Sequence, residues 1–215
     1  LFKALQVTNI FPYSPFVAYL NSLIMKSSYV FLAPGFEEVE ALTPVDVLRR
    51  AGIDVKTVSV TSSRDVESAH GVIIKADMTF DDADFSDCDW LILPGGMPGA
   101  TNLYEFKPLC SLLLKHNAEG AHIAAICAAP AVVLGELGLL DGKEATCYPG
   151  FESVAPQAIF QPRRVVVSGN IVTANGPSSA LVFALSIVAE TKGDSEAKKV
   201  GEGMLFYDKH LNYYL

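Results

Sequence analysis

The chain has 215 residues, of which 50% are hydrophobic and 19% charged, so it can bury a full core, and one domain is predicted. The formal net charge is −8 and no cluster of lysine or arginine is present, so nucleic acid is not expected as a partner. Cys88, Cys110, Cys127 and Cys147 lie far apart without a C-x-x-C pair, which argues against a zinc site. Free thiols in a reducing cytosol fit this pattern, so a cytoplasmic location is expected.

The first 24 residues differ from the rest of the chain. They contain one lysine and two prolines that interrupt the apolar run, and no small-residue cleavage site precedes Met25. A signal peptide and a transmembrane span are therefore both poor fits, and no membrane partner is expected. We expect residues 1–24 to be an extension outside the core and residues 25–215 to form a single domain.

From Tyr29 onward, short apolar runs alternate with longer helical patterns, which is typical of strands joined by crossover helices. The predicted strands are 29–33, 55–60, 70–77, one that begins at 89 and runs into a glycine-rich loop, 122–126, and a hairpin about 168–170. The predicted fold class is α/β, a three-layer α/β/α sandwich with a mostly parallel central sheet of the doubly wound type.

Helices are predicted between these strands. An acidic turn with Glu37, Glu38 and Glu40 follows the first strand and suits the positive end of a helix dipole. The pattern then predicts a second helix start, with Thr43 as the cap and Pro44 in the first helical position. Further helices are predicted over 103–120, 127–139, 178–193 and near 195–206.

Three loops leave predicted strands at their carboxyl ends, where open sheets of this class bind ligands. They are APGFEEVE, LPGGMPG and ICAAP. The third contains Cys127 at a sharp strand-to-helix turn between small residues, as in a nucleophile elbow. The dipole and free N–H groups of the following helix would favour the thiolate, so we predict a thiol pKa well below the free value of roughly 8.5. The alternative interpretation is a small buried residue that fills a tight turn.

Four stretches resemble one known family. FLAPGFEEVEALTPVDVLRRAGI, LPGGMPGATNL, AAICAAPAVVL and NGPSSALVFALSIV are together similar to the ThiJ/PfpI superfamily, in particular the branch of the Parkinson-associated protein deglycase and its bacterial relatives. The resemblance covers about residues 25–215. It implies a flavodoxin-like sandwich, a homodimer, and an oxidisable cysteine at the elbow with a glutamate beside it.

The resemblance assigns roles to individual residues. Cys127 matches the elbow cysteine and Glu40 the third glutamate of an E-E-x-E motif. We expect Glu40 to be largely protonated, because a carboxylate beside a thiolate in a shielded pocket is costly and its pKa should rise. Stabilisation of the helix N-terminus is the alternative role. Gly95 and Gly96 match a P-G-G loop whose N–H groups, with that of Ala128, would hold an oxyanion. A tight turn that requires glycine is the other interpretation, and both can hold.

The chain also departs from the family pattern. Tyr148 stands where the family often has the histidine of a T-H-P segment, and Ala128 stands where the peptidase branch has a histidine. A Cys-His pair is therefore not expected. His70 replaces an anion-binding arginine, which makes it either a base or anion ligand near the pocket or a solvated histidine at a strand end. In the implied homodimer we expect His70 close to the partner's pocket.

Two classes of function remain. In the first, the Cys127 thiolate adds to a small α-oxoaldehyde such as methylglyoxal, or to its glycated adduct, and Glu40 shuttles the proton without a metal or organic cofactor. In the second, Cys127 is oxidised to a sulfinate, which makes a peroxide sensor or redox-regulated chaperone. The missing histidine favours the second class. The retained Glu40–Cys127 pair places the first, a glyoxalase-like or deglycase-like function, slightly ahead.

Overall fold

The computed structural model describes residues 26–207, so the predicted extension at 1–24 and the closing residues 208–215 lie outside it. The β-strands are β1 (Ser27–Leu32), β2 (Val55–Ser59), β3 (Asp65–Glu67), β4 (Ile73–Lys75), β5 (Met78–Thr79), β6 (Cys88–Leu93), β7 (His122–Ile126), β8 (Glu144–Ala145), β9 (Ile159–Phe160), β10 (Val165–Ser168) and β11 (Ile171–Ala174). The α-helices are α1 (Glu38–Arg50), α2 (Gly99–Glu105), α3 (Lys107–Ala118), α4 (Ala180–Lys192) and α5 (Asp194–Gly203).

The central sheet has seven strands in the order β10-β11-β7-β6-β1-β2-β5. All neighbouring pairs are parallel except β10 and β11, which form the predicted hairpin. Gly169 adopts a positive φ of 61° in its turn, a conformation that glycine adopts without steric cost. The predicted mostly parallel α/β sandwich is confirmed.

Alternating residues along each strand pack on opposite faces of the sheet. On β1, Val30 and Leu32 belong to the core against α1, α4 and α5, while Phe31 belongs to the core against α2 and α3. The sheet lies between these two apolar cores, and β1, β6 and β7 are its three central strands. Their carboxyl ends therefore form one rigid edge on which loops are held.

The second helix start at Thr43 is not observed, because α1 runs without interruption through Pro44. Glu37 caps this helix instead, and Pro44 is buried within it. The helix predicted over 103–120 is divided into α2 and α3. Since Pro108 has no N–H for the carbonyl of Tyr104, the helical bonding pattern breaks there.

The strand predicted over 70–77 is shorter than expected and does not join the central sheet. Its ordered part, β4, pairs antiparallel with β3 in a separate two-stranded sheet. The residue just before this segment contacts the loop after β1, since Ala69 N–H donates to the carbonyl of Phe36 at 2.7 Å. Within residues 26–207, no helix is long and apolar enough to span a membrane.

Candidate active site

Cys127 follows β7 directly and adopts a left-handed backbone conformation, with φ of 65°. Among the described residues, Leu205 is the only other non-glycine residue with a positive φ. The Cys127 N–H donates to the carbonyl of Ala174 at 2.9 Å, and its own carbonyl accepts the N–H of Tyr148 at 2.8 Å. An unfavourable conformation that is held from two sides is typical of functional sites. The predicted sharp turn at the elbow is thus observed.

The helix predicted over 127–139 is present in a distorted form. Its regular part is a π-helix, Pro130–Gly135. Helical backbone hydrogen bonds extend it on both sides, from Val132 N–H to Ala128 O and from Leu137 N–H to Val133 O. The N–H of Ala128 at the start of this segment favours the thiolate, but burial outweighs it.

Glu40 lies in the first turn of α1 and is completely buried. Its Oε2 accepts the backbone N–H of Gly95 at 2.8 Å. Its Oε1 is also buried, and no N–H or O–H group of the described residues donates to it. An unpaired polar atom in such a place is costly, so the carboxyl group is held there for a reason other than stability.

Gly95 lies between Glu40 and Cys127. A Cβ atom at this position would lie 2.6 Å from Cβ of Cys127 and 2.8 Å from Oε2 of Glu40. The fold therefore brings the two predicted reactive residues together, and only glycine allows that approach.

The environment changes the acidity of both groups. Burial raises the pKa of Glu40 to about 7, against a smaller opposing effect of hydrogen bonds from Cys127 and Gly95. The predicted rise for Glu40 is confirmed. Burial, reinforced by the Glu40 carboxylate, raises the pKa of Cys127 to about 12, so the predicted low thiol pKa is wrong. At neutral pH the pair therefore holds a thiol beside a carboxyl group that is close to half protonated.

The predicted oxyanion donors do not behave alike. The N–H groups of Gly96 and Ala128 are hydrogen-bonded to the Cys127 sulfur and favour its anion. The N–H of Gly95 is instead occupied by Glu40, so it is not free for an oxyanion. Gly96 has φ of 84°, and a Cβ there would lie 2.5 Å from the backbone nitrogen of Glu37, so this turn also requires glycine. The tight-turn interpretation is therefore confirmed for Gly96, and the role of its N–H toward an oxyanion stays a prediction.

His70 lies on the surface and binds Glu38 rather than the reactive pair. Its Nδ1 is 3.0 Å from Oε1 of Glu38, and 67% of its side chain is exposed. The Glu38 carboxylate raises the pKa of His70. Potential ligand atoms of Glu37, Glu38 and His70 lie within 4.8 Å of one another, but the His70–Glu38 ion pair already explains this cluster. The prediction that the site needs no metal stays a prediction.

Two other residues contribute to the site. Tyr148 supports the elbow through its backbone, while 46% of the residue is exposed. Glu37, which the sequence interpretation treated only as part of an acidic turn, accepts the N–H of Glu40 at 2.7 Å through its side chain. The spacing between Glu37 and Glu40 is that of an N-cap and its third residue, so this role was readable from the sequence.

Comparison with known proteins gives one family. The model of the DJ-1/PfpI family matches residues 26–190. Protein DJ-1 homolog B of Arabidopsis thaliana is 40% identical over 176 residues, which is 81% of this chain and 40% of that protein. DJ-1 homolog A of the same plant is 37% identical, over 84% of this chain and 46% of that protein. This chain therefore spans less than half the length of these two relatives.

Other relatives are matched along nearly their whole length. The glutathione-independent glyoxalase DJR-1.2 of Caenorhabditis elegans is 32% identical, over 81% of this chain and 94% of that protein. The structure described as Toxoplasma gondii DJ-1, oxidized, is 40% identical and superposes with a TM-score of 0.81, covering 84% of this chain and 98% of that one.

Proposed function

The chain belongs to the DJ-1/PfpI family, and from this premise we propose that it processes reactive α-oxoaldehydes or their adducts by cysteine-dependent chemistry without a cofactor. A relative at 32% identity carries the name of a glutathione-independent glyoxalase, which supports this class of substrate. The observation that carries the proposal is the buried Glu40 carboxyl group, one oxygen of which accepts no N–H or O–H among the described residues and which lies beside the Cys127 thiol.

The first chemical step would be addition of the Cys127 sulfur to the aldehyde carbon. Because the thiol pKa is high, the thiol proton must leave as the S–C bond forms, and Glu40 is the group placed to accept it. The carbonyl oxygen then gains negative charge, which the N–H groups of Gly96 and Ala128 could stabilise. Return of the proton from Glu40 to this oxygen gives a hemithioacetal.

The second step would move a proton within the bound substrate. Glu40 takes the proton from the former aldehyde carbon, and the hydroxyl proton on that carbon's oxygen passes to the neighbouring carbonyl oxygen through an enediol. Glu40 then returns its proton to the neighbouring carbon, so the hemithioacetal becomes a thioester of a 2-hydroxy acid. Water then cleaves the thioester, releasing the hydroxy acid and restoring the Cys127 thiol. A pKa of about 7 suits this work, because an acid–base group acts best when its pKa is near the working pH.

The redox-sensor alternative has less support. Peroxide reacts with the thiolate rather than the thiol, and here burial and the Glu40 carboxylate both disfavour the thiolate. Cys127 is also only 8% exposed. A structural relative is described as oxidized. In this chain, the buried thiol beside Glu40 favours acid–base chemistry over oxidation.

We also propose a homodimer. Four apolar side chains are exposed on α1 and at the start of β4. They are Val39, Leu42, Val72 and Ile73, with exposures of 48%, 37%, 44% and 65%. The contact between His70 and Glu38 joins the two segments, and from it we infer that these side chains share one apolar surface. An exposed surface of this kind suits a second copy of the chain.

Formation of lactate from methylglyoxal tests the enzymatic proposal. The wild-type protein is expected to form lactate, and Cys127→Ser and Glu40→Gln are each expected to reduce the rate at least about 100-fold, as for loss of a nucleophile or a general base. Cys110→Ser is the matched control, because Cys110 is a buried thiol on α3 that contacts neither residue. Equal rates for wild type and Cys127→Ser would refute the proposal.

A further inference from the structure

The three glutamates at the start of α1 have three different environments. Glu40 points inward to Gly95, and Glu38 points outward to His70. Glu37 lies between them, is 9% exposed, and receives the N–H of Glu40 on its Oε2. A second buried carboxylate thus lies one helical turn from the proposed acid–base group.

Helix capping alone does not explain a glutamate at this position. Serine, threonine, aspartate and asparagine are the preferred N-cap residues, because their short side chains reach the free N–H groups directly. Glu37 has an extended backbone at the cap, with φ of −87° and ψ of 121°, and its longer side chain folds back to the same N–H group. A glutamate side chain is thus kept inside the fold although a shorter residue would cap as well.

We propose that Glu37 is a positioning residue for the reaction, whose side chain fixes the first turn of α1 and whose negative charge makes Glu40 a stronger proton acceptor. This inference rests on the proposed acid–base role of Glu40. The hydrogen bond of 2.7 Å to Glu40 N fixes the direction in which the Glu40 side chain leaves the helix. The like charge nearby makes ionisation of Glu40 less favourable, and Glu37 is one of the groups that raise the pKa of Glu40.

The groups that face Glu40 come from three segments. Glu37 acts from the cap of α1, Cys127 from the elbow, and the N–H of Gly95 from the loop after β6. The N–H of Gly95 and the thiol of Cys127 both favour ionised Glu40, so Glu37 is the group that opposes them together with burial. His70, the cationic group of this region when protonated, binds Glu38.

The experiment is a titration of the Glu40 carboxyl carbon by NMR in protein labelled with ¹³C-glutamate, with Glu40→Gln to assign the signal. Glu37→Gln keeps an oxygen that can accept the N–H but removes the charge, so the midpoint of Glu40 is expected to move toward acid by roughly a few tenths of a pH unit. Glu37→Asp keeps the charge and is expected to titrate as wild type does. Glu38→Gln removes an equivalent charge on the outer side and is expected to move the midpoint less than half as far.

Two outcomes would overturn the inference. One is an unchanged Glu40 midpoint in Glu37→Gln, and the other is an equal shift in Glu38→Gln or Glu37→Asp. Melting temperatures of the same variants report the capping role separately. If Glu37 were purely structural, its substitution would lower the melting temperature without moving the titration midpoint of Glu40. The titration needs no turnover, so absent lactate formation with a shifted midpoint would refute only the proposed function. Lactate formation with an unshifted midpoint would refute only the role of Glu37.

Discussion

The backbone N–H of Gly95 donates to Oε2 of Glu40 at 2.8 Å, across 55 positions of sequence. This bond joins the loop after β6 to the first turn of α1, next to the Cys127 elbow. Since a backbone group rather than a side chain holds the carboxyl group, its orientation is fixed by the parallel strands that carry the two loops. The geometry of the pair can therefore be tested without changing either reactive residue.

Gly95→Ala is expected to disrupt the pair by steric conflict. The new Cβ would lie 2.6 Å from Cβ of Cys127, so one of the two segments must shift. We expect the free energy of unfolding to fall by about 1–3 kcal/mol, as for overpacking of a dense core, and lactate formation to fall with it. Urea unfolding and the lactate assay measure the two effects.

Gly203→Ala is the matched control for this change. Nothing lies within 4 Å of a Cβ added there, and Gly203 ends α5 without a positive φ. Stability and activity are expected to stay close to wild type. A Gly95→Ala protein that behaves like the Gly203→Ala protein would show that the close approach is not required.

Glu40→Gln is expected to change how stability depends on pH. Burial raises the pKa of Glu40 from 4.5 to about 7, so its proton stabilises the fold fully below about pH 4.5, and this contribution is lost as the pH rises through about 7. Glutamine has no such proton to lose. The variant should therefore lose less stability than wild type between about pH 5 and about pH 8, with a difference of at most about 3 kcal/mol. Urea unfolding at both values measures it, and parallel pH dependences would contradict it.

Much of the fold was predictable because its signals are local. The strands β1, β2, β6 and β7 are short apolar runs that end at turn residues, and each was predicted to within a few residues. The hairpin of β10 and β11 was predicted from its Ser-Gly-Asn turn. The errors in predicted helix boundaries occur where tertiary packing, rather than local sequence, determines the structure. Pro44 was read as a helix start, yet it is accommodated inside α1.

The site was predictable in its members but not in its electrostatics. Cys127 was predicted from its place at a strand-to-helix elbow and Glu40 from a family resemblance, and the loop order of a parallel sheet explains why they meet. The acidity of Cys127 depends on burial, which the sequence does not show. The helix after Cys127 forms with a π-helical centre, but burial reversed the expected direction of the thiol pKa.

Alkylation measures how Glu40 affects the reactivity of the Cys127 thiol. The Glu40 carboxylate is one of the groups that raise the pKa of Cys127, after burial. Glu40→Gln removes that charge, so iodoacetamide should modify Cys127 faster at about pH 8 than in wild type, by roughly 3-fold or more for a fall of half a pKa unit. Lactate formation should fall in the same variant, because the base is lost.

Mass spectrometry of the peptide that contains Cys127 measures this rate without interference from the other thiols. Cys88 and Cys147 serve as internal controls, because burial raises their pKa to about 12 and Glu40 acts on neither. Their rates should not change in Glu40→Gln. Slower alkylation of Cys127 in that variant would mean that Glu40 activates the thiol in the resting protein.

Ile73→Glu tests the proposed dimer. Ile73 is 65% exposed and belongs to the apolar surface defined with Val39, Leu42 and Val72, so a charge there adds no strain to the monomer but would be desolvated in a two-fold interface. We expect light scattering to give a dimer mass for wild type and a monomer mass for the variant at micromolar concentration. Ile159→Glu is the control, since Ile159 is 50% exposed on β9, in a separate two-stranded sheet. A monomer mass for wild type would remove the dimer proposal, and a dimer that survives Ile73→Glu would move the interface to another surface.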